Sequence, residues 1–362
     1  MNTEVISDKQ GISLIIMFIV GTSIVLIMGV DAKQDLWLAN IFAVIMALPM
    51  VLIYSSLHRL FPKKDLFDIL EICMGRFIGK IIILLYSSFA FFLSSLIVRD
   101  FGEFFVTVAA PETPMIVPMF IMALLGAWIV IEGIETMGRW AEFFLPVTIV
   151  LLFITVLLLI PQMKINNIRP MLYSGIKPVI KGAFGPFSFP FAETVIFTMV
   201  FSTFKTDKSS YKVYLSGLLI GGIIIVINSV VNIFVLGIDV ASTIYFPFYA
   251  TLSRLNIGDF LQRLQIVIAF IFLLGGFIKL SICLLAASKG ISKLFGYTDY
   301  RFIVLPFSLL LINLSYLITD SLMYFIEWDI KIWPYYAFLF QVILPIIIFV
   351  AAKVKAAHRG ST

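Results

Sequence analysis

Charge is scarce in this chain. Of its 362 residues, 13% are Asp, Glu, Lys or Arg, about half the share found in soluble domains. That excludes a soluble globular protein. Cysteine is nearly absent too: Cys73 and Cys283 fall in different segments, so no disulfide framework is expected. The two histidines, His58 and His358, flank apolar runs. No HExxH, CxxC pair or nucleophile–His set occurs, and an enzyme, a resident metal and a cofactor are not expected. Gly75-Arg76-Phe77-Ile78-Gly79-Lys80 is no phosphate loop, because its glycines are too close, no Ser or Thr follows, and an apolar run begins at once.

Apolar length is what the chain has. Hydrophobic residues make up 61% of it, in runs of about 20, the length that crosses a bilayer. Ten spans are expected, at 11–30, 36–57, 78–106, 114–132, 140–160, 183–202, 212–236, 264–288, 302–319 and 335–352. The chain therefore reads as a single all-α membrane domain over 1–362. The first run is not read as a cleaved signal peptide, since its leader has one Lys and two acids and its apolar core is too long.

The net charge of +5 does not point to nucleic acid. Most of the 26 Lys and Arg lie in loops on the side of the termini, which places both termini in the cytoplasm. The loop 161–182 dissents: Lys164, Arg169, Lys177 and Lys181 lie outside, making it a candidate contact surface. Trp328, Trp333, Tyr335 and Tyr336 fit an interfacial aromatic belt. Residues 65–74 and 244–256 alternate apolar and polar positions at helical spacing and suit short surface helices.

Two spans carry breaks. The first is interrupted around Gly21-Thr22-Ser23, and the sixth around Gly185-Pro186-Phe187-Ser188-Phe189-Pro190-Phe191-Ala192-Glu193. Proline removes a backbone donor and clashes with the preceding turn. In lipid, freed backbone must be satisfied by protein or by a water-filled cavity. Two sets of five helices, about 11–160 and 183–352, each opening on a broken helix, give the 5+5 inverted-repeat plan of many secondary transporters. Its binding site lies near the midplane, between helices 1 and 6.

Five short motifs then converge. They are Ala110-Pro111-Glu112-Thr113-Pro114, Gly133-Ile134-Glu135-Thr136-Met137-Gly138-Arg139, Gly175-Ile176-Lys177-Pro178, Phe189-Pro190-Phe191-Ala192-Glu193-Thr194 and Gly275-Gly276-Phe277-Ile278-Lys279. In this order and spacing the chain resembles, end to end, the B subunit of bacterial spore germinant receptors, the endospore germination permease family. The family pattern often has Gly where this chain has Ala192. The resemblance implies the LeuT-like fold of the amino acid/polyamine/organocation transporters and a place in the inner membrane of the spore. It also implies a small nutrient germinant, such as an amino acid, and partner A and C subunits.

Glu193 is the leading site candidate. An intramembrane carboxyl either contacts a ligand ammonium or carries a proton, unless it only braces the broken backbone. Lys279 lies too deep for easy snorkelling. It either takes the cation position between helices 1 and 8, or it partly snorkels or pairs with a carboxylate that pins helix packing. Gly21, Thr22 and Ser23 offer unwound backbone and hydroxyls to a ligand carboxylate. Phe187, Ser188, Phe189, Pro190 and Ala192 line the second break, with side-chain directions that the sequence does not give. Tyr86 could bind a carboxylate, though a packed aromatic with a satisfied hydroxyl fits as well. Arg99, Asp100 and Glu103 read as a solvated helix end rather than a gate, and Glu135 with Arg139 as a helix clamp. Gly217 and Gly221 read as a close helix contact. A ligand-sensing receptor subunit, a proton-coupled amino acid symporter and a channel-forming or structural subunit remain the competing functions.

Overall fold

A computed structural model describes residues 5–202, 204, 206, 209–254, 265–319 and 321–359. Among them the backbone is helical throughout, apart from loops and one isolated bridge between Ile6 and Phe204. The helices are α1 (Asp8–Val20), α2 (Leu36–Leu60), α3 (Leu66–Phe104), α4 (Ile116–Glu132), α5 (Ile134–Leu159), α6 (Ile176–Pro186) and α7 (Phe197–Val200). They continue with α8 (Ser209–Leu236), α9 (Ile238–Ala241), α10 (Pro247–Ser253), α11 (Gln265–Phe295) and α12 (Arg301–Leu317). The last are α13 (Leu322–Lys331), α14 (Trp333–Phe338) and α15 (Leu344–Arg359).

Among the described residues, seven helical stretches are long and apolar enough to cross a membrane: 30–60, 66–108, 134–162, 176–200, 209–236, 265–295 and 333–358. The other three expected spans fold as shorter helices, α1, α4 and α12. This is an integral membrane protein. The sixth span starts earlier than expected, at Ile176 rather than 183, because Gly175 (φ 75°) begins the helix and carries Lys177 and Lys181 on its first turns.

Local chemistry sets α1. Ser7 and Gln10 form a reciprocal capping box, the Gln10 N–H donating to Ser7 Oγ at 3.2 Å and the Ser7 N–H to Gln10 Oε1 at 3.1 Å. The helix then runs buried from Ser13 to Val20 and stops at Gly21. Its 13 residues rise only about 20 Å, short of a hydrocarbon core of about 30 Å. Gly217 and Gly221 let α8 lie against it: a Cβ on Gly221 would come within 3.0 Å of Ile19, so the expected small-residue contact is present.

The break after α1 is pressed against α11. A Cβ on Gly275 would sit 2.6 Å from Gly21 Cα, whereas one on Gly276 would meet nothing nearer than Met122 at 3.5 Å. Gly275→Ala should therefore cost about 1–3 kcal/mol through overpacking. Gly276→Ala should be neutral or slightly stabilising, since Ala favours a helix interior. Thermal unfolding of the two purified variants beside the parent checks this, and equal midpoints would refute it.

Several local expectations meet the structure directly. Gly75 (φ 77°) interrupts α3 and sets Leu66–Met74 apart as a short helix, capped by Asp65, whose carboxylate accepts from Asp68 N at 3.0 Å. In 244–256, Pro247–Ser253 folds as the short helix α10, and 255 and 256 lie outside the described residues.

Two expectations are corrected. Arg99, Asp100 and Glu103 are not a solvated helix end: all three are buried. Arg99 Nη2 lies 2.6 Å from Glu103 Oε1, and Arg99 Nη1 donates to the carbonyls of Ser315 and Tyr316 at 3.4 and 3.1 Å. Tyr245 donates to Asp100 at 3.1 Å. The end of α12 and the chain before α10 cover this turn, which no local pattern foretells. Trp333 is not an interfacial anchor either. It is 1% exposed and stacks on Phe89, ring centroids 5.8 Å apart.

Candidate functional site

Two interruptions meet at the centre of the bundle. Residues 21–29 leave helical geometry after α1, and residues 187–196 wind irregularly between α6 and α7, with Phe189 extended (φ −135°, ψ 114°). Backbone freed in this way needs partners, and polar side chains of other helices supply them. Asn228 of α8 donates to Ile24 O at 2.9 Å, and Asn40 of α2 reaches Met28 O at 3.4 Å. Gln341 donates to Ser188 O at 2.8 Å. The Tyr54 hydroxyl lies 3.3 Å from Ala192 O and also bonds Gln341 O.

Between the two interruptions lies a buried ion pair. Lys279 Nζ of α11 is 2.7 Å from Glu193 Oε2, and neither side chain has exposed surface. The ammonium also donates to Thr22 Oγ1 at 3.3 Å. It faces the ring of Phe189 at 4.0 Å and that of Phe18 at 5.1 Å, a cation–π arrangement that replaces part of its hydration. Of the expectations for Lys279, the structure shows the pairing with a carboxylate, and the ammonium also touches the helix 1 break through Thr22. Among the described residues, Glu193 Oε1, Ser188 Oγ and Gln341 Oε1 are buried without hydrogen-bond partners. Unpaired acceptors at a buried position are costly, and here they cluster on one interruption.

The structure brings Thr22, Phe189, Glu193 and Lys279 together, with Gly21 beside them through its contact with Gly275. Other candidates are engaged elsewhere. Ser23 Oγ donates back to Ile19 O at 2.7 Å. Tyr86 donates to Phe340 O at 3.0 Å, a packed aromatic with a satisfied hydroxyl. Phe187 packs on Phe184, and Pro190 is buried in the turn. Sequence reasoning missed Asn40, Tyr54, Asn228 and Gln341. The signal for the amides was available, because a lone amide inside an apolar run is expensive unless it bonds something.

Two cavities flank the pair. One, of about 660 Å³, lies at the end of the bundle away from the start of α1, and Phe184, Phe189, Asp329, Trp333 and Tyr335 are among its walls. Phe189 separates it from Lys279. The other, of about 530 Å³, lies at the opposite end, near Asp65, Lys289, Lys293 and Tyr300. Lys289 is ten residues along α11 from Lys279, roughly 15 Å at helical rise. An ion pair sealed between two cavities can accept a solute from either side only if a wall moves. Among the described residues no cluster of His, Cys, Asp or Glu could hold a metal.

The chain matches the family model described as "Spore germination protein" over residues 5–323. It is 28% identical to "Spore germination protein KB" of Bacillus subtilis (strain 168) over 358 residues, 98% of this chain and 96% of that protein. It is 26% identical to "Putative spore germination protein YfkT" of the same organism over 90% of this chain and 89% of that one. With "Spore germination protein XB" of Bacillus anthracis the identity is 23% over 69% of each chain.

Proposed function

The chain belongs to the spore germination protein family, and from that premise we propose that it is the B subunit of a germinant receptor, binding a small zwitterionic nutrient at the Glu193–Lys279 pair. In this reading the fold is a ten-span 5+5 inverted repeat in the inner membrane of the spore, with both termini cytoplasmic. The larger cavity then faces outward. The A and C subunits read the shift between two arrangements of the repeats, and the ligand can move that balance only by its differential affinity for the two.

The observation that carries this reading is the pair itself. A lone cation or anion entering here would strand one buried charge, at a cost of several kcal/mol. A zwitterion strands none: its ammonium takes Glu193, its carboxylate takes Lys279 and the freed backbone beside Thr22, and the site stays neutral. Amino acids have that charge pattern. The unpartnered Glu193 Oε1 offers the ammonium a second acceptor.

Glu193→Gln should lower stability, because it leaves the buried Lys279 ammonium without its carboxylate, and the protein that still folds should bind ligand at least tenfold more weakly, about 1.4 kcal/mol. Screening single amino acids against the purified parent by thermal shift, then titrating the variant with any that stabilises, checks this. Unchanged affinity would remove Glu193 from the site. A second reading, proton-coupled amino acid symport, draws on the same sealed pair between two cavities. Saturable uptake into proteoliposomes driven by a pH gradient would favour it, and binding without uptake favours the sensor.

A further inference from the structure

The cavity beyond Phe189 has chemistry of its own. Its walls include four aromatic side chains, Phe184, Phe189, Trp333 and Tyr335, and the carboxylate of Asp329, which has no side-chain partner among the described residues. The other charges at its mouth are engaged or of opposite sign. Lys181 Nζ lies 3.3 Å from Asp31 Oδ1, and Lys33 stands exposed on a left-handed turn (φ 53°). The indole Nε1 of Trp333 is buried without a hydrogen-bond acceptor among the described residues. Gly185 has open space where a Cβ would be, which keeps the cavity wide. A volume of about 660 Å³ falls within the range of small-ligand sites.

An aromatic box closed by one carboxylate is how proteins hold organic ammonium groups, through ring quadrupoles and a counter-ion. We propose that this vestibule is a second, separately loaded site for an organic ammonium group, with Asp329 as its counter-ion and Phe189 as the partition from the buried pair. Phe189 suits that role because one face already carries the Lys279 ammonium at 4.0 Å while the same side chain walls the vestibule. An occupant and Lys279 would then compete for one ring. In terms of the receptor reading, on which this extension rests, the vestibule would stage the ligand by its ammonium end before Phe189 moves.

Burial pushes the Asp329 carboxyl up to about 7, and the Glu193 carboxylate adds to the shift while Lys279 opposes it. Asp100 of α3 is the further carboxylate near it. The Asp31–Lys181 pair and Lys33 stand at the mouth. On α13 itself Glu327 is taken by Lys331 at 2.6 Å. A carboxylate with a raised value is charged at pH 8 and protonated in mild acid. A bound cation favours the charged form, so occupancy should fall as the pH drops through and below about 7.

The experiment is calorimetric titration of the full-length protein in nanodiscs with tetramethylammonium chloride, with sodium acetate as the anionic counterpart. Saturable tetramethylammonium binding is expected at pH 8, weaker at pH 6 and absent for acetate. Asp329→Asn should weaken it at least tenfold with an unchanged thermal midpoint, Asp329→Glu should retain most of it, and Glu193→Gln should leave it intact. No saturable binding, equal binding of acetate, or loss in Glu193→Gln with retention in Asp329→Asn would overturn the vestibule site. The deep site is judged separately, by amino acid titration of Glu193→Gln, so the two readings can fail independently.

Discussion

Replacing Lys279 by methionine is expected to destabilise the protein by about 3–5 kcal/mol, the usual result of removing one partner from a buried ion pair. The loss is not the worth of the bond. Without Lys279, the Glu193 carboxylate keeps no charged partner among the described residues while having no exposed surface. It must then take up a proton or force the structure open. The Thr22 hydroxyl loses its donor at the same time, which loosens the interruption after α1. Chemical denaturation in detergent, run beside Glu193→Gln and the double variant, tests the account. The double variant should be more stable than the sum of the single losses predicts, with a coupling of about 0.5–3 kcal/mol. Additive losses would mean that the two residues act separately. Lys279→Met should also abolish amino acid binding, because the ligand carboxylate loses its cation.

Arg99→Met is expected to destabilise by a similar amount, about 3–5 kcal/mol, for a different reason and with a different signature. Arg99 satisfies Glu103 and two carbonyls at the end of α12, those of Ser315 and Tyr316. Its removal leaves one buried carboxylate and two acceptors unpaired, and it unfastens α3 from α12. Ligand affinity per folded molecule should stay as in the parent, since none of these groups reaches Lys279. Glu103→Gln on the Arg99→Met background should recover part of the stability. A variant as stable as the parent would show that solvent reaches this turn and that the clamp contributes nothing. Exposed pairs such as Glu135 and Arg139, 3.8 Å apart, contribute little by comparison.

The sequence by itself settled what depends on short stretches of chain. Scarce charge and long apolar runs placed the protein in a membrane. Gly21, Pro186 and Pro190 marked where helices stop, because glycine and proline act on their own turn. Depth along a run singled out Glu193 and Lys279. What the sequence could not give is which buried groups meet. The pairing of Glu193 with Lys279, and the capping of Ile24 and Ser188 carbonyls by Asn228 and Gln341, join helices far apart in the chain. Arg99 and Trp333 read as surface residues because each sits at a helix end, and only the elements packed over them bury them. A residue's own neighbours in sequence fix its backbone, but burial and partnership are properties of the space between helices, and that space exists only once the chain has folded.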